Sequence, residues 1–226
     1  MIETVVDLFG LLNPFHLVVA LAVASALMLL LEDRRLSVLS LLAQYILLGI
    51  LMSPQLYHPL ALLRIGLGTV LCLILYISAM HVQRTLKPAP QAAKPAEGEE
   101  LDADVTPDRP QAQSALFRLL VVILGGFITY AIWRAYSLPL VPTELLLTVY
   151  WLMAIGILML LISRGPLRQG MGLLTALSGF EALYMLWQTS FVVISILGTF
   201  NLLVALAIAF CAEAWLESVE GEASET

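Results

Sequence analysis

The sequence predicts an all-α membrane protein of about seven transmembrane helices, on three observations. Sixty per cent of its 226 residues are hydrophobic and only 12% are charged, a balance outside the range of soluble globular domains. Apolar runs that can cross a hydrocarbon core, which takes about 20 helical residues, recur along the chain. None of them alternates apolar and polar residues as a barrel strand does. The lipid bilayer is therefore the predicted environment.

The predicted spans form a group of three and a group of four. The first group occupies residues 1–82, with spans at about 14–31, 36–52 and 60–82. The second group occupies residues 115–214, with spans at about 115–133, 144–162, 170–187 and 191–214. The first span has Asn13 as a suitable N-cap and Pro14 at the first helical position, where its missing N–H costs nothing.

Two polar segments complete the predicted organisation. Residues 83–114 are rich in Pro, Ala and acidic side chains and have almost nothing to bury, which is typical of a disordered linker. Residues 215–226 are predicted to be a loose acidic tail. These segments account for much of the net charge of −6, which does not suggest a nucleic-acid partner.

Basic residues in short loops predict the orientation of the spans. If the loop after the first span is cytoplasmic, that side holds nine of the 11 Lys and Arg residues: Arg34, Arg35, Arg84, Lys87, Lys94, Arg109, Arg118, Arg164 and Arg168. The other side holds Arg64 and Arg134. Arg64 lies one turn inside the third span, from which its side chain is expected to extend to the membrane surface. The predicted N-terminus is therefore outside and the C-terminus inside.

Residues that could support chemistry within this chain are scarce. Cys72 and Cys211 fall inside apolar runs, and the three histidines, His16, His58 and His81, lie near span ends. Neither set has the spacing of a metal or haem site. There is also no glycine-rich phosphate loop and no serine with a nearby histidine base. The sequence therefore predicts no catalytic residue, no metal and no cofactor.

The sixth span nevertheless carries a carboxylate, Glu181. An acidic side chain at the centre of a span costs about 2.5 to 3.5 kcal/mol, so it usually faces the helix bundle and indicates function. Asn201 lies at a similar depth in the seventh span, Ser178 and Thr175 precede Glu181 by one and two turns, and Gln44 is deep in the second span. These five residues are the candidate proton path. The alternative is a neutral glutamic acid that only joins helices, beside ordinary packing hydroxyls.

The sixth span also carries small residues on one face. Gly172, Gly179 and Ala182 form a stripe at helical spacing. Such a stripe predicts that another helix approaches this one closely.

The last three spans resemble a known family. The stretches GILMLLISRGPLRQGMGLLTALSGFEALYMLW and SFVVISILGTFNLLVALAIAFCAEAWLE are similar to the C-terminal spans of the E-type membrane subunit of group 4 hydrogenases of the formate hydrogenlyase type. That region is in turn similar to the K-type subunit of NADH-quinone oxidoreductase and the C-type subunit of Mrp-type antiporters. Gly179-Phe180-Glu181 resembles the family's Gly-Leu-Glu, and Asn201 stands where the family has a second membrane glutamate. A family lysine would fall near Gly68 or Thr69.

The resemblance implies an accessory, non-catalytic subunit of a hydrogenase or NADH-dehydrogenase-like complex in the bacterial cytoplasmic (inner) membrane. Its implied partners are larger antiporter-like membrane subunits, and its implied role is proton or cation translocation or the structural support of it. Two alternatives stay open from the residues alone. One is a structural or assembly membrane protein without a transport role, and the other is an independent small-solute transporter.

Overall fold

The computed structural model describes residues 14–31, 33–54, 58–86, 110–136, 141–163, 165–187 and 190–225. All regular structure in these ranges is α-helical. The helices are α1 (Pro14–Leu30), α2 (Arg34–Met52), α3 (His58–Leu86), α4 (Pro110–Ala135), α5 (Thr143–Ile162), α6 (Pro166–Met185) and α7 (Phe191–Glu225). The predicted all-α class is confirmed.

Five of these helices are long and apolar enough to cross a membrane, namely α2, α3, α4, α5 and α7. Helix α1 is apolar but has only 17 residues. Helix α6 has 20 residues, but its polar content keeps it out of that set. Large hydrophobic side chains are exposed along α4 and α7, among them Leu120, Phe127, Leu203 and Phe210. Surfaces of this kind are stable against lipid, so the chain is an integral membrane protein.

Several helices extend past the predicted span ends. Helix α3 continues to Leu86 and α4 starts at Pro110, so both ends of the predicted linker are helical. The rest of that segment, 87–109, lies outside the described residues. Helix α7 continues to Glu225, through the segment predicted to be a loose tail. The tail contains no proline, and four of its residues are glutamates, which are good helix formers.

Helix α6 lies at the centre of the packing, in contact with α2, α5 and α7. Its approach to α5 is the closest, because the facing positions are glycines. A Cβ atom built on Gly172 would lie 2.9 Å from the carbonyl oxygen of Gly156, and one built on Gly179 would lie 3.1 Å from Leu152 Cβ. The close approach predicted from the small-residue stripe is confirmed, and α5 is the helix that makes it.

Two arginines stabilise the C-terminal end of α1. Arg118 of α4 donates to the carbonyl oxygen of Leu30 at 3.4 Å, and Arg168 of α6 donates to those of Leu29 and Leu31. The last carbonyls of a helix have no partner within the helix, so these side chains satisfy them and complement the helix dipole. The contacts also place the end of α1 and the starts of α4 and α6 on the same side of the bundle.

Candidate functional site

The predicted carboxylate is one half of a buried ion pair. Glu181 of α6 lies with its Oε2 atom 3.5 Å from an Nη2 atom of Arg64, on α3. Both residues are only 4% exposed. The prediction that Arg64 extends to the membrane surface is therefore wrong. Its side chain points into the bundle because a carboxylate there offers a compensating charge, which lipid does not.

Arg64 makes two further contacts with α6. Its Nη2 atom donates to the carbonyl oxygen of Ser178 at 3.1 Å, and its Nη1 atom lies 2.8 Å from the sulfur of Met185. The Nε atom has no hydrogen-bond partner in the described part of the chain. A single side chain of α3 therefore contacts α6 at three residues spanning two turns, with Glu181 between the other two.

Asn201 of α7 is the second polar group at the carboxylate. Its side chain forms a hydrogen bond with Glu181, and both residues are buried. An amide N–H can donate to a carboxylate oxygen, so this contact partly compensates the burial of Glu181. The structure thus brings together Glu181 of α6 and Asn201 of α7, as predicted, and adds Arg64 of α3 to them.

The remaining candidates form a second polar group beside the first. Gln44 of α2 donates from Nε2 to Ser178 Oγ at 3.3 Å, and Ser178 Oγ donates to the carbonyl oxygen of Thr175 at 2.8 Å. The Thr175 hydroxyl donates to the carbonyl of Met171, one turn earlier on its own helix, at 2.9 Å. Gln44 and Ser178 are therefore linked by their side chains, whereas the Thr175 hydroxyl turns away from Ser178.

A small cavity of about 20 Å³ lies beside the ion pair, between α2, α3, α6 and α7. It is lined by Tyr45, Arg64, Glu181 and Asn201, together with apolar side chains and glycines. The hydroxyl of Tyr45 and the Oε1 atom of Gln44 have no hydrogen-bond partner among the described residues. A volume of this size accommodates one water molecule, and a polar lining is what such a water requires.

Sequence reasoning missed Arg64 and Tyr45. Arg64 is six residues from the start of α3, and Glu181 is four residues from the end of α6. At about 1.5 Å per residue these offsets correspond to about 9 and 6 Å, so the two charges lie at similar depth from one membrane face. That agreement in depth was the available indication of a pair. Tyr45 offered none, since a tyrosine inside a span is ordinary packing.

Metal binding has no support in the described ranges, where no group of three or more His, Cys, Asp and Glu side chains could hold an ion. The described arrangement suits proton binding and release by one carboxyl group, or the cross-linking of helices.

Comparison with known proteins identifies no relative: no protein-family model matches this chain, and neither the curated proteins nor the solved structures include a match to it. Its function is inferred from the site and from the resemblance given by the sequence.

Proposed function

We propose that this chain is an accessory, non-catalytic membrane subunit of a hydrogenase or NADH-dehydrogenase-like complex. In this role it contributes Glu181 to a proton path beside larger antiporter-like subunits. The observation that carries the proposal is the buried pair of Arg64 and Glu181, inside helices whose other buried side chains, in the described residues, carry no charge. Ionisable residues inside a membrane are costly and commonly mark ion or proton pathways.

The resemblance supports the same role for both charges. Glu181 follows Gly179 and Phe180 as the family glutamate follows its Gly-Leu pair. The family lysine would fall near Gly68, and Arg64 lies four residues earlier on α3, on the same helix face. Arg64 therefore supplies a positive charge one turn from the lysine position. Asn201, at the position of the second family glutamate, contacts Glu181.

The contacts suggest how a proton would pass. When Glu181 takes up a proton, Arg64 stays charged, because a guanidinium is not deprotonated in proteins. Arg64 keeps its bond to the carbonyl oxygen of Ser178, so the ion pair can weaken without releasing the arginine. Gln44 and Ser178 extend the polar group towards α2, and Asn201 extends it towards α7.

The proposal includes seven spans, with the N-terminus outside and the C-terminus inside. Helices α1 and α6 are about 26 and 30 Å long at 1.5 Å per residue, close to the thickness of a bilayer core. The polar side chains in the middle of α6, namely Thr175, Ser178 and Glu181, are buried, so they do not oppose insertion against lipid. Arg118 and Arg168 meet at the C-terminal end of α1, which gathers positive charge on the proposed cytoplasmic side.

Cysteine labelling tests this topology. In a Cys72→Ala/Cys211→Ser background, a cysteine at Ser53 is expected to react with a membrane-impermeant maleimide in intact cells. A cysteine at Ser163 is expected to react only after permeabilisation. Ser53 follows α2 and Ser163 follows α5, so the two positions lie at opposite ends of the bundle. The reverse pattern would invert the proposed orientation. A cysteine at Ser190, between α6 and α7, is expected to react in intact cells as Ser53 does, because α6 separates it from Ser163. Labelling of Ser190 only after permeabilisation would contradict α6 as a span and therefore seven spans.

Purification in a mild detergent tests the proposed partners. The tagged full chain is expected to co-purify with large multi-span membrane subunits and with subunits of a redox complex, identified by mass spectrometry. A chain that consistently purifies alone, while folded in the same detergent, contradicts the proposal.

Replacing the pair tests the proton path itself. Glu181→Gln alone leaves the charge of Arg64 without its partner, so Arg64→Met/Glu181→Gln is the better variant because both positions become neutral. We expect this double variant to assemble with its partners but to lose most proton transport by the complex in inverted vesicles. Thr199→Val is the control, since that hydroxyl is exposed and bonds to its own helix.

A second candidate function is structural. Arg64 joins α3 to α6 through the Ser178 carbonyl and the Met185 sulfur as well as through Glu181, as a helix cross-link would. In that case the neutral double variant transports protons as well as the wild type does. The same measurement therefore separates the two functions.

A further inference from the structure

We infer that a groove between α1, α4 and α5 binds one acyl chain of a membrane phospholipid, whose ester carbonyl accepts a hydrogen bond from Thr129 Oγ1. The groove has a volume of about 190 Å³ and lies apart from the ion pair. Apolar side chains line it, among them Leu21 of α1 and Leu147 of α5. An apolar cavity of about 150 Å³ already takes up a benzene-sized molecule, so this groove can hold a stretch of hydrocarbon chain.

Thr129 makes this groove different from an empty apolar crevice. The residue is 3% exposed, and its hydroxyl has no hydrogen-bond partner in the part of the chain that the structure describes. Other helix threonines satisfy themselves: Thr69, Thr148, Thr175 and Thr199 each donate to the carbonyl four residues earlier. A buried hydroxyl without a partner costs about 1 to 3 kcal/mol, so a bound acceptor at Thr129 is favoured.

The depth of Thr129 matches that of a lipid ester group. It directly precedes Tyr130, whose ring lies 6.0 Å from that of Trp133, and the Tyr150 hydroxyl donates to the carbonyl of Tyr136. Tyrosine and tryptophan gather at the level of the lipid headgroups, so Thr129 lies at the inner edge of an aromatic belt. An ester carbonyl is the acceptor found just inside that level, with its acyl chain pointing towards the bilayer centre.

Trp151 provides a reporter inside the groove. Its indole Nε1 donates to Ser25 Oγ at 2.6 Å, which fixes the ring, and its side chain lines the groove. Gly126 lines the opposite wall, and a Cβ atom there would lie 3.7 Å from the Trp151 ring, an ordinary contact. A leucine at position 126 would therefore fill the groove without pushing on backbone. Gly66 provides a control, because a Cβ atom there meets nothing within 4 Å.

Fluorescence quenching tests occupancy. The full chain, with Trp133, Trp187 and Trp215 replaced by phenylalanine, is reconstituted in vesicles of phosphatidylcholine brominated in the upper acyl chain. We expect bromine to quench Trp151 strongly, Gly126→Leu to remove most of that quenching, and Gly66→Leu to leave it unchanged. Absence of quenching would mean that protein covers the groove, and equal quenching in Gly126→Leu would place the acyl chain elsewhere. Either result overturns the inference.

Ether-linked phosphatidylcholine tests the hydrogen bond, because it lacks the ester carbonyl. In competition for quenching, the wild-type groove is expected to prefer the ester lipid by about fivefold, the factor for one hydrogen bond. Thr129→Val should lose this preference and Thr199→Val should keep it. An equal preference for the ester lipid in Thr129→Val and in the parent chain would overturn the role of the hydroxyl. Valine has nearly the same volume as threonine, so this variant is expected to fold.

Discussion

Replacing Glu181 by leucine is expected to lower the free energy of unfolding by about 3 to 5 kcal/mol, because it leaves the Arg64 guanidinium buried without a counter-charge. Arg64→Met is expected to cost less. The carboxyl left behind in that variant can be neutralised by a proton and keeps its hydrogen bond to Asn201, whereas a guanidinium cannot be neutralised. We therefore expect the loss of unfolding free energy to be larger for Glu181→Leu than for Arg64→Met when both are measured by denaturant titration in a mild detergent.

The double variant Arg64→Met/Glu181→Leu isolates the interaction between the two side chains. Since buried ion pairs are often no more stabilising than apolar side chains of similar size, we expect the double variant to recover most of the loss of Glu181→Leu. Glu213→Gln serves as the control, because Glu213 is exposed near the end of the apolar part of α7. A change there should stay within about 0.5 kcal/mol. Additive losses in the double variant would show that the two charges do not interact.

The asymmetry between the two partners also explains what the sequence predicted. A carboxylate in an apolar span predicts a buried polar site, because the side chain is too short to reach the membrane surface. An arginine near a helix end does not, because its long side chain usually extends outwards. The direction of Arg64 depends on how α3 packs against α2 and α7, which brings its side chain within reach of α6, and that packing cannot be obtained from the sequence of α3. Asn201 was predictable, because α6 and α7 are joined by a very short connection.

The helices followed from the sequence better than their ends did. Apolar runs identified the seven helices found in the described ranges, since each of them has a continuous hydrophobic length. The ends of α3, α4 and α7 lie in polar sequence, where helix formation depends on weak local propensity and not on the hydrocarbon boundary. Hydropathy therefore indicated the apolar length of each helix, but it did not indicate how far the helix continues into polar sequence.

The packing of α5 against α6 leads to the second large effect. Gly156→Ala is expected to destabilise the protein by about 3 kcal/mol, at the upper end of the usual cost of overpacking. The added Cβ atom would meet the backbone nitrogen of Ala176 and lie 2.7 Å from the carbonyl oxygen of Gly172. Flexible side chains can move aside, but two helix backbones must separate. Thermal unfolding in a mild detergent measures the loss.

The same substitution at Gly66 should have the opposite sign. A Cβ atom at Gly66 meets nothing within 4 Å, so alanine there should stabilise α3 by up to about 1 kcal/mol through helix propensity alone.

Helix α6 holds Gly172 on one side and Glu181 on another, so separation of α6 from α5 in Gly156→Ala should also strain the contact of Glu181 with Arg64. Gly156→Ala and Glu181→Leu should then cost less together than the sum of their separate effects. Strict additivity would mean that the glycine contact and the ion pair hold α6 independently.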